Sequence, residues 1–236
     1  MQVRFERKAL NVGVGPTLLL WFESNGSHRH CGWRFPFSCV VTTKQSLRKE
    51  LMAQRRAVNP AQRAHAAQAV ADHIARMPWL APGKRIGLYA SMPQELGTRP
   101  LIELAQRRGC LVYLPRITSM RARRMRFVPL NPRARQHDFG MLEPEGDAWI
   151  SARFLDTIFC AGVGFDRRGA RLGHGAGFYD RALAFRRARS HWRGPRLVGL
   201  AYSFQVVPEI PVTANDVFMD LLVTERGIDE LLADED

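Results

Sequence analysis

Residues 157–181 of the chain read TIFCAGVGFDRRGARLGHGAGFYDR, and this stretch decides the class of fold. The segment Thr157–Ala161 is continuously apolar, as expected of a strand buried on both faces at the centre of a sheet. Gly173, Gly175 and Gly177 then fall at every second position and lead into a helix predicted from residue 178 to about residue 189. A strand, a glycine-rich loop and a helix in this order predict part of an α/β fold.

Helices and strands alternate on both sides of this stretch. The predicted elements are helices over 44–58, 60–77 and 98–108 and strands over 85–90, 110–114, 127–130, 197–201 and 221–223. Asn59 caps the second helix and Pro60 is its first residue. The alternation predicts a single α/β domain over residues 44–236, with a mostly parallel sheet covered on both faces.

Composition favours a soluble, cytoplasmic chain. The 236 residues are 46% hydrophobic and 24% charged, enough for one packed domain with an appendage. The apolar run over residues 16–22 is far shorter than the roughly 20 residues of a membrane span, so no membrane partner is expected. Cysteines stand at positions 31, 39, 110 and 160 without a Cys-x-x-Cys pair, which favours a reducing compartment without disulfides or structural zinc.

The first 43 residues differ from the rest, because they mix Gly, Trp, Phe, Ser and His without a sustained period. They do not have the order of charges and small residues typical of a secretory signal. We expect a disordered extension, or translation from a start codon upstream of the real one at about Val41. Both interpretations predict that this segment takes no part in the chemistry.

The net charge of +13, from 35 Lys and Arg against 22 Asp and Glu, leaves several interpretations open. A basic surface can follow nucleic acid or attract small polyanions, and scattered Arg is also typical of a solvated surface. Apart from a cluster over residues 121–124, the basic residues are spread among acids. A nucleic-acid-binding protein is a remote alternative, because the sequence contains no recognisable nucleic-acid-binding motif.

The glycine-rich loop is the strongest candidate for a binding site. Successive amides near the glycines can form a concave site for an anion, completed by the positive end of the following helix, and Arg171 can add a forked contact to a phosphate. The loop is neither a Walker A motif nor a dinucleotide-binding fingerprint.

Two acids near the loop each have two interpretations. Asp180, in the first helical turn, is either an acid that the helix dipole stabilises or a Mg²⁺ ligand. Asp216, in the loop before the last strand, is either a turn residue or a second ligand. Lys44 and Arg48 share one face of the first helix and Arg55 follows two turns after Arg48, which by itself is typical of a solvated basic face.

Taken in order, a set of motifs between Lys44 and Glu225 resembles the 5-formyltetrahydrofolate cyclo-ligase family. The motif residues are Lys44, Leu47 and Arg48, then Ser91, Met92, Glu95 and Thr98, then Gly169, Arg171, Leu172, Gly173, Gly175, Gly177, Tyr179, Asp180 and Arg181, then Gln205, Asn215 and Asp216. The resemblance implies a three-layer α/β/α sandwich, similar to the fold of sugar-phosphate isomerases and CoA transferases. The glycine-rich element is the most specific part of the resemblance.

The resemblance also implies the roles of individual residues. It implies that ATP is bound by Lys44, Arg48, Arg171, Leu172, Gly173, His174, Gly175, Ala176, Gly177, Tyr179 and Asp180. It implies that the folate is bound by Met92, Glu95, Gly97, His174, Gly175, Gly177, Phe178 and Tyr179. Lys44, Arg48 and Arg171 are implied to be catalytic, and Asp180 and Asp216 to hold Mg²⁺. One position departs from the family, because Gly97 stands where members usually carry an acid thought to meet the pterin.

The implied reaction converts 5-formyltetrahydrofolate and ATP, with Mg²⁺, to 5,10-methenyltetrahydrofolate, ADP and phosphate. In this reaction the formyl oxygen is phosphorylated, N10 closes the ring, and phosphate leaves. The expected partners are these small molecules alone, without nucleic acid, and the expected state is a monomer. Gly97 keeps one alternative open, a diverged member that binds nucleotide or folate without turnover.

Overall fold

The structure is a computed structural model, and it describes residues 43–130, 148–187 and 194–231. The helices are α1 (Lys44–Ala57), α2 (Pro60–Ala75), α3 (Arg99–Arg107) and α4 (Phe178–Ala182). The strands are β1 (Arg85–Gly87), β2 (Leu111–Ser119), β3 (Arg124–Pro129), β4 (Thr157–Ala161), β5 (Gly164–Asp166), β6 (Arg171–Leu172), β7 (Arg196–Leu200), β8 (Val206–Val207), β9 (Leu221–Thr224) and β10 (Gly227–Glu230).

The main sheet has seven strands in the order β10-β9-β7-β4-β1-β2-β3. The five inner strands are parallel, and β10 and β3 are antiparallel to their neighbours at the two edges. Ile86 of β1 lies between Val112 of β2 and Thr157 of β4. The predicted α/β class with a mostly parallel sheet is therefore confirmed, and β4 lies at the centre of the sheet as its apolarity predicts.

Different layers cover the two faces of the main sheet. On one face, buried residues of α2 and α3, such as Val70, Ile74 and Leu101, pack on Leu88 and Phe159. The opposite face is covered by Phe165 of β5, the short helical turn Ala152–Phe154, Leu183 and the loop that precedes β9. The likeness to sugar-phosphate isomerases and CoA transferases stays a prediction.

A second, small sheet in the order β6-β5-β8 joins the glycine-rich segment to α1. Leu47 and Leu51, four residues apart on α1, pack on Val163, Ala170 and Leu172 around this sheet. The sequence did not predict this sheet, because strands of two or three residues are too short to show a periodic pattern. Its consequence is that the N-terminal half of α1 lies beside the glycine-rich loop.

One local prediction was wrong. The helix expected from 178 to about 189 is only α4, followed by a 3-10 turn over Ala184–Arg186, and residues 188–193 lie outside the described part of the chain. Leu183 turns into the core at this point, and the side chains of Arg186 and Arg187 donate to Asp220 and to the carbonyl of Asn215, so tertiary contacts override helix propensity. The strand expected over 127–130 is confirmed as part of β3, which is longer than predicted and forms one arm of a β2–β3 hairpin. The sequence did not predict β10.

Other local features agree with the sequence. Asn59 caps α2, with Pro60 in the first turn, and Gly109 follows α3 with a φ of 73°. Cys110 and Cys160 are buried and free, whereas Cys31 and Cys39 lie outside the described residues, as do residues 1–42 of the extension expected over 1–43. Thr43 belongs to the folded domain, because its side chain accepts from the amide of Ser46 at the start of α1. Within the described ranges, no helix has the length and apolarity to cross a membrane.

Candidate active site

A cavity of about 760 Å³ opens at the carboxyl ends of the central strands. Tyr89 and Ala90, which follow β1, and Ala161, the last residue of β4, form part of its wall. Ligands of open α/β sheets gather at this edge. The volume is within the range of roughly 300–1,000 Å³ typical of small-molecule sites.

The wall carries more positive than negative charge. Its basic residues are Lys44, Arg48, Arg123, Arg171, Arg181 and Arg187, and its acidic residues are Glu95, Asp180 and Asp216. A concave surface with an excess of cations concentrates anionic ligands. The cavity therefore suits a phosphate-bearing molecule better than a neutral one.

The glycine-rich loop forms one side of the cavity and is tied to α1. The Arg48 guanidinium donates from Nε to the carbonyl oxygen of Gly173 over 2.7 Å. Gly175 and Gly177 have φ values of 102° and 71°, which L side chains rarely adopt, so these two positions require glycine. The sequence predicted that the positive end of a long helix would help to bind an anion at this loop. Because α4 has only five residues, its dipole adds little to that attraction. The attraction for anions therefore comes from the arginines around the loop.

Arg171 is held rigidly beneath the loop. Its side chain is 5% exposed, and Nη2 donates to Asp180 over 3.0 Å while Nη1 donates to the carbonyl of Ala161 over 3.3 Å. Its Cζ lies 5.0 Å from the centre of the Tyr179 ring, and Nε has no hydrogen-bond partner among the described residues. Burial raises the pKa of Tyr179 above its usual value, so the phenol stays neutral beside this cation. The Arg171 contacts fix one positive charge and one phenol at the floor of the cavity.

Lys44 and Asp216 close the opposite side. Lys44 Nζ donates to Oδ2 of Asp216 over 2.6 Å, which joins the first turn of α1 to the loop before β9. Burial alone would raise the pKa of Asp216, but hydrogen bonds from Lys44 and Thr213 outweigh it and lower the pKa below its usual value. The carboxylate is therefore ionised at neutral pH.

Two acids of the wall could act as metal ligands only together with ligands from a bound molecule or from water. Among the described residues, no three His, Cys, Asp or Glu side chains lie close enough together to hold a metal ion by themselves. Asp180 and Asp216 both line the cavity, and Mg²⁺ is usually held by one or two carboxylates together with waters and phosphates. Each carboxylate is paired with a cation, so it would have to exchange that partner for the metal.

The remaining side of the cavity is less charged. Met92 is 42% exposed at the rim, and Glu95, only 8% exposed, accepts from the amide of Met92 over 3.1 Å. His174 faces the same space from the loop, and its partial burial lowers the pKa of its imidazole below the usual value. This side therefore presents the thioether of Met92, the side chain of Glu95 and, at neutral pH, an uncharged imidazole.

All but one of the residues to which the resemblance assigns a binding, catalytic or metal-holding role line this single cavity. The residues that do so are Lys44, Arg48, Met92, Glu95, Arg171, Leu172, Gly173, His174, Gly175, Ala176, Gly177, Phe178, Tyr179, Asp180 and Asp216. Gly97 is the exception, because a Cβ at this position would lie 3.2 Å from the Cβ of Ala67 on α2. A side chain at position 97 would therefore start toward α2 and not toward the cavity.

Sequence reasoning missed the contribution of the β2–β3 hairpin. Pro115, Ile117, Arg123 and Met125 of this hairpin line the cavity. Arg181 of α4 donates to the carbonyl of Ala122 over 2.8 Å and so holds the hairpin turn beside α4. The basic cluster over 121–124 forms this turn, where Arg123 has a φ of 48°. Apolar residues stand two positions apart at Pro115 and Ile117, and again at Met125 and Phe127. This period of two on both sides of a turn could have indicated an antiparallel hairpin.

Comparisons with known proteins point in one direction. A sequence model of the 5-formyltetrahydrofolate cyclo-ligase family matches residues 40–225. The 5-formyltetrahydrofolate cyclo-ligase of Haemophilus influenzae is 33% identical over 188 residues, which cover 76% of this chain and 97% of that protein. The enzyme of the same name from Escherichia coli K12 is 31% identical over 181 residues, which cover 74% of this chain and 96% of that protein.

Solved structures agree. The NMR structure of Aquifex aeolicus 5,10-methenyltetrahydrofolate synthetase is 28% identical, with a TM-score of 0.67, and the match covers 82% of this chain and 95% of that one. A 5,10-methenyltetrahydrofolate synthetase from Mycoplasma pneumoniae is 22% identical with a TM-score of 0.62, covering 78% of this chain and 99% of that one, a likeness of fold alone.

Proposed function

The chain belongs to the 5-formyltetrahydrofolate cyclo-ligase family, and we propose that it converts 5-formyltetrahydrofolate to 5,10-methenyltetrahydrofolate with consumption of ATP. The observation that carries the proposal is that one cavity gathers the cations of α1, the glycine-rich loop and the Met92–Glu95 turn. An ATP-dependent ring closure needs a phosphate-binding side and a folate-binding side in contact, and the strongly charged and the less charged sides of this one cavity support that arrangement.

The phosphates of ATP are bound by Lys44, Arg48 and the glycine-rich loop. The two cations of α1, Lys44 and Arg48, neutralise charge on the phosphates together with Arg171. The backbone of Gly175 and Gly177 can approach a phosphate closely because neither residue has a Cβ. Asp180 and Asp216 would hold Mg²⁺, which, when bound, reduces the negative charge of the nucleotide.

The folate lies on the side formed by Met92, Glu95, His174 and Tyr179. A pterin presents adjacent N–H donors, which suit a carboxylate acceptor such as Glu95. Gly97 presents no side chain to this side, and a Cβ at this position would lie 3.2 Å from the Cβ of Ala67 on α2. The diverged, non-catalytic alternative that Gly97 motivates is therefore an outcome of the activity test.

The chemistry requires alignment and charge neutralisation more than a protein nucleophile. The formyl oxygen attacks the γ-phosphorus and the bond to ADP breaks, which gives a phosphorylated formyl group. N10 then attacks the formyl carbon and loses its proton, and the C–O bond breaks as phosphate leaves. Arg48 and Arg171 stabilise charge on the transferred phosphoryl group, and the walls of the cavity limit the access of water to it.

The direct test is the absorbance of methenyltetrahydrofolate after mixing the purified chain with 5-formyltetrahydrofolate and MgATP. The control reaction omits ATP. An ATP-dependent rise supports ligase activity, and the absence of a rise with ATP binding still measurable supports the diverged binding protein instead.

A further inference from the structure

A buried arginine outside the cavity wall is the strongest unexplained feature of the molecule. Arg55, near the C-terminal end of α1, is 3% exposed. Its Nε donates to the carbonyl of Gln94 over 2.9 Å, and Nη2 lies 3.7 Å from Oε1 of Glu95. A charged side chain is seldom buried without a specific partner, because removing it from water is unfavourable. The partners of Arg55 are the two residues that end the turn on the folate side.

Glu95 is held from several directions. Its Oε2 accepts from the amide of Met92 over 3.1 Å, and its carbonyl accepts from the Tyr202 hydroxyl over 3.2 Å. Its side chain is 7% exposed and lies at the cavity wall, whereas Arg55 lies behind it. An ionised carboxylate has about four acceptor positions, so these contacts leave room for donors of a ligand. Arg55, which is not among the residues that line the cavity, therefore supports Glu95 without itself forming part of the wall.

The bonding of Arg55 is incomplete. Its Nη1 is buried and has no hydrogen-bond partner among the described residues. Burying a guanidinium with one nitrogen unpaired is unfavourable, whereas an apolar residue at the same site would avoid this penalty. An arginine at this position is thus better explained by what it does to Glu95 than by stability alone.

The same helix serves both halves of the cavity. Lys44, Arg48 and Arg55 stand at positions i, i+4 and i+11 of α1. Because eleven residues make close to three full turns of an α-helix, the three side chains share one face. Lys44 and Arg48 line the charged side, and Arg55 reaches the turn on the folate side. A defect at Arg55 can therefore be separated experimentally from a defect at the N-terminal end of the same helix.

We propose that Arg55 is a positioning residue for folate binding, which fixes the Glu95 carboxylate and the turn that carries it against the cavity. The inference rests on the proposed function, because it takes the ligand of Glu95 to be the folate. Arg55 touches no substrate and acts through Glu95, so its loss weakens folate binding and leaves nucleotide binding intact.

The first test compares Arg55→Met with Arg56→Met. Arg56 is the next residue of α1 and is exposed, so its replacement controls for the loss of one positive charge from this helix. For Arg55→Met we expect the KM for 5-formyltetrahydrofolate to rise about tenfold or more, with the KM for ATP within about twofold of wild type. Arg56→Met should leave both constants unchanged. Equal rises in both KM values for Arg55→Met, or a fall in kcat alone, would overturn the proposal.

The second test is a double-mutant cycle with Glu95→Gln. If Arg55 acts through the Glu95 carboxylate, Arg55→Met raises the folate KM strongly in the wild-type background and by less than about twofold in the Glu95→Gln background. The same rise in both backgrounds would show that Arg55 acts by another route and would overturn the proposal. Should Arg55→Met fail to fold, Arg55→Lys keeps the charge but not the forked geometry, and an intermediate rise in the folate KM is expected.

Equilibrium dialysis with 5-formyltetrahydrofolate separates this inference from the proposed function. A wild-type chain that binds the folate but makes no methenyl product contradicts the proposed function, and the dissociation constants of Arg55→Met and Arg56→Met then still decide the role of Arg55. A wild-type chain that turns over while Arg55→Met keeps the wild-type folate KM contradicts the Arg55 inference alone. A wild-type chain that does not bind the folate contradicts both.

Discussion

Lys44 and Asp216, 172 positions apart in the sequence, form an ion pair of 2.6 Å that closes the cavity between α1 and the loop before β9. The pair places one cation and one carboxylate at the same point of the charged wall. Binding of a nucleotide with its metal would exchange these partners, since the ammonium can turn to a phosphate and the carboxylate to the ion. The role of the pair can be tested one residue at a time.

Replacement of Lys44 should weaken nucleotide binding selectively. For Lys44→Met we expect a rise of about tenfold to a hundredfold in the KM for ATP, the usual effect of losing a charge-assisted hydrogen bond. The KM for 5-formyltetrahydrofolate should stay close to wild type. Lys49→Met, at an exposed position of the same helix, is the matched control. Initial rates measured with each substrate varied in turn give both constants, and an unchanged KM for ATP would remove Lys44 from the nucleotide site.

Replacement of Asp180 should affect turnover more than folding. Asp180→Asn keeps the shape of the side chain but loses its charge, so Arg171 loses its ionised partner and Mg²⁺ loses a ligand. We expect kcat to fall by about a hundredfold or more, with a melting temperature close to wild type. Asp72→Asn, on the surface of α2, serves as the control. Near-normal turnover of Asp180→Asn would refute both roles of this carboxylate.

The stability of the chain should depend on pH through Asp216. The pKa of Asp216 is lowered in the folded chain, because the hydrogen bonds from Lys44 and Thr213 outweigh the opposing effect of burial. Its ionised form therefore favours folding above the unfolded-state pKa of roughly 4, and this contribution is lost as the pH falls through the folded-state pKa. Asp216→Asn should accordingly be less stable than wild type at neutral pH.

Urea unfolding of wild type and Asp216→Asn at several pH values measures this effect. The difference in the free energy of unfolding should shrink as the pH is lowered past about 4. Asp229→Asn, at an exposed position of β10, is the control. A difference that stays constant from neutral to acidic pH would mean that the ionised form of Asp216 does not stabilise the fold.

Removal of the N-terminal segment should leave the chemistry intact, provided that Thr43 is kept. The cavity wall contains no residue before Lys44 among the described residues, and the family match begins at residue 40. A chain starting at Thr43 should therefore keep wild-type kcat and KM values. A large loss of activity would show that the first 42 residues contribute to the site.

The capping box of α1 explains why Thr43 matters. The Thr43 side chain accepts from the amide of Ser46, and the Ser46 hydroxyl accepts from the amide of Thr43. In the full chain, Thr43→Ala should reduce the free energy of unfolding by about 1 kcal/mol, as is usual for the loss of an N-cap. Chemical denaturation measures the change, and Thr118→Ala, at an exposed position of β2, is a suitable control.

The sequence predicted the parts of the fold with clear periodicity. The strand Thr157–Ala161 is continuously apolar and lies at the centre of the sheet, and α2 begins at its predicted cap, Asn59. The helix predicted after the glycine-rich loop is longer than the observed α4. The observed helix is short because Leu183 packs into the core after one turn. Local propensity carries no information about such a tertiary contact.

The residues of the candidate site also divide into those that the sequence indicated and those that only the structure reveals. Arg171, Asp180 and the loop glycines lie in one continuous motif, so the sequence indicated them together. Arg123 was seen only as part of a basic cluster, since its place at the cavity depends on pairing between β2 and β3. Arg55 looked like one more basic residue of α1, and only its burial against Gln94 and Glu95 distinguishes it from Arg56.

The central claim is that this chain couples consumption of ATP to ring closure of the folate. The most direct measurement follows methenyl absorbance and ADP release together, with the wild-type chain, 5-formyltetrahydrofolate and MgATP in one reaction, and with ATP or folate omitted in the controls. We expect one ADP for each methenyl product, and neither product when a substrate is left out. Release of ADP without methenyl formation, or no release of either product, would contradict it.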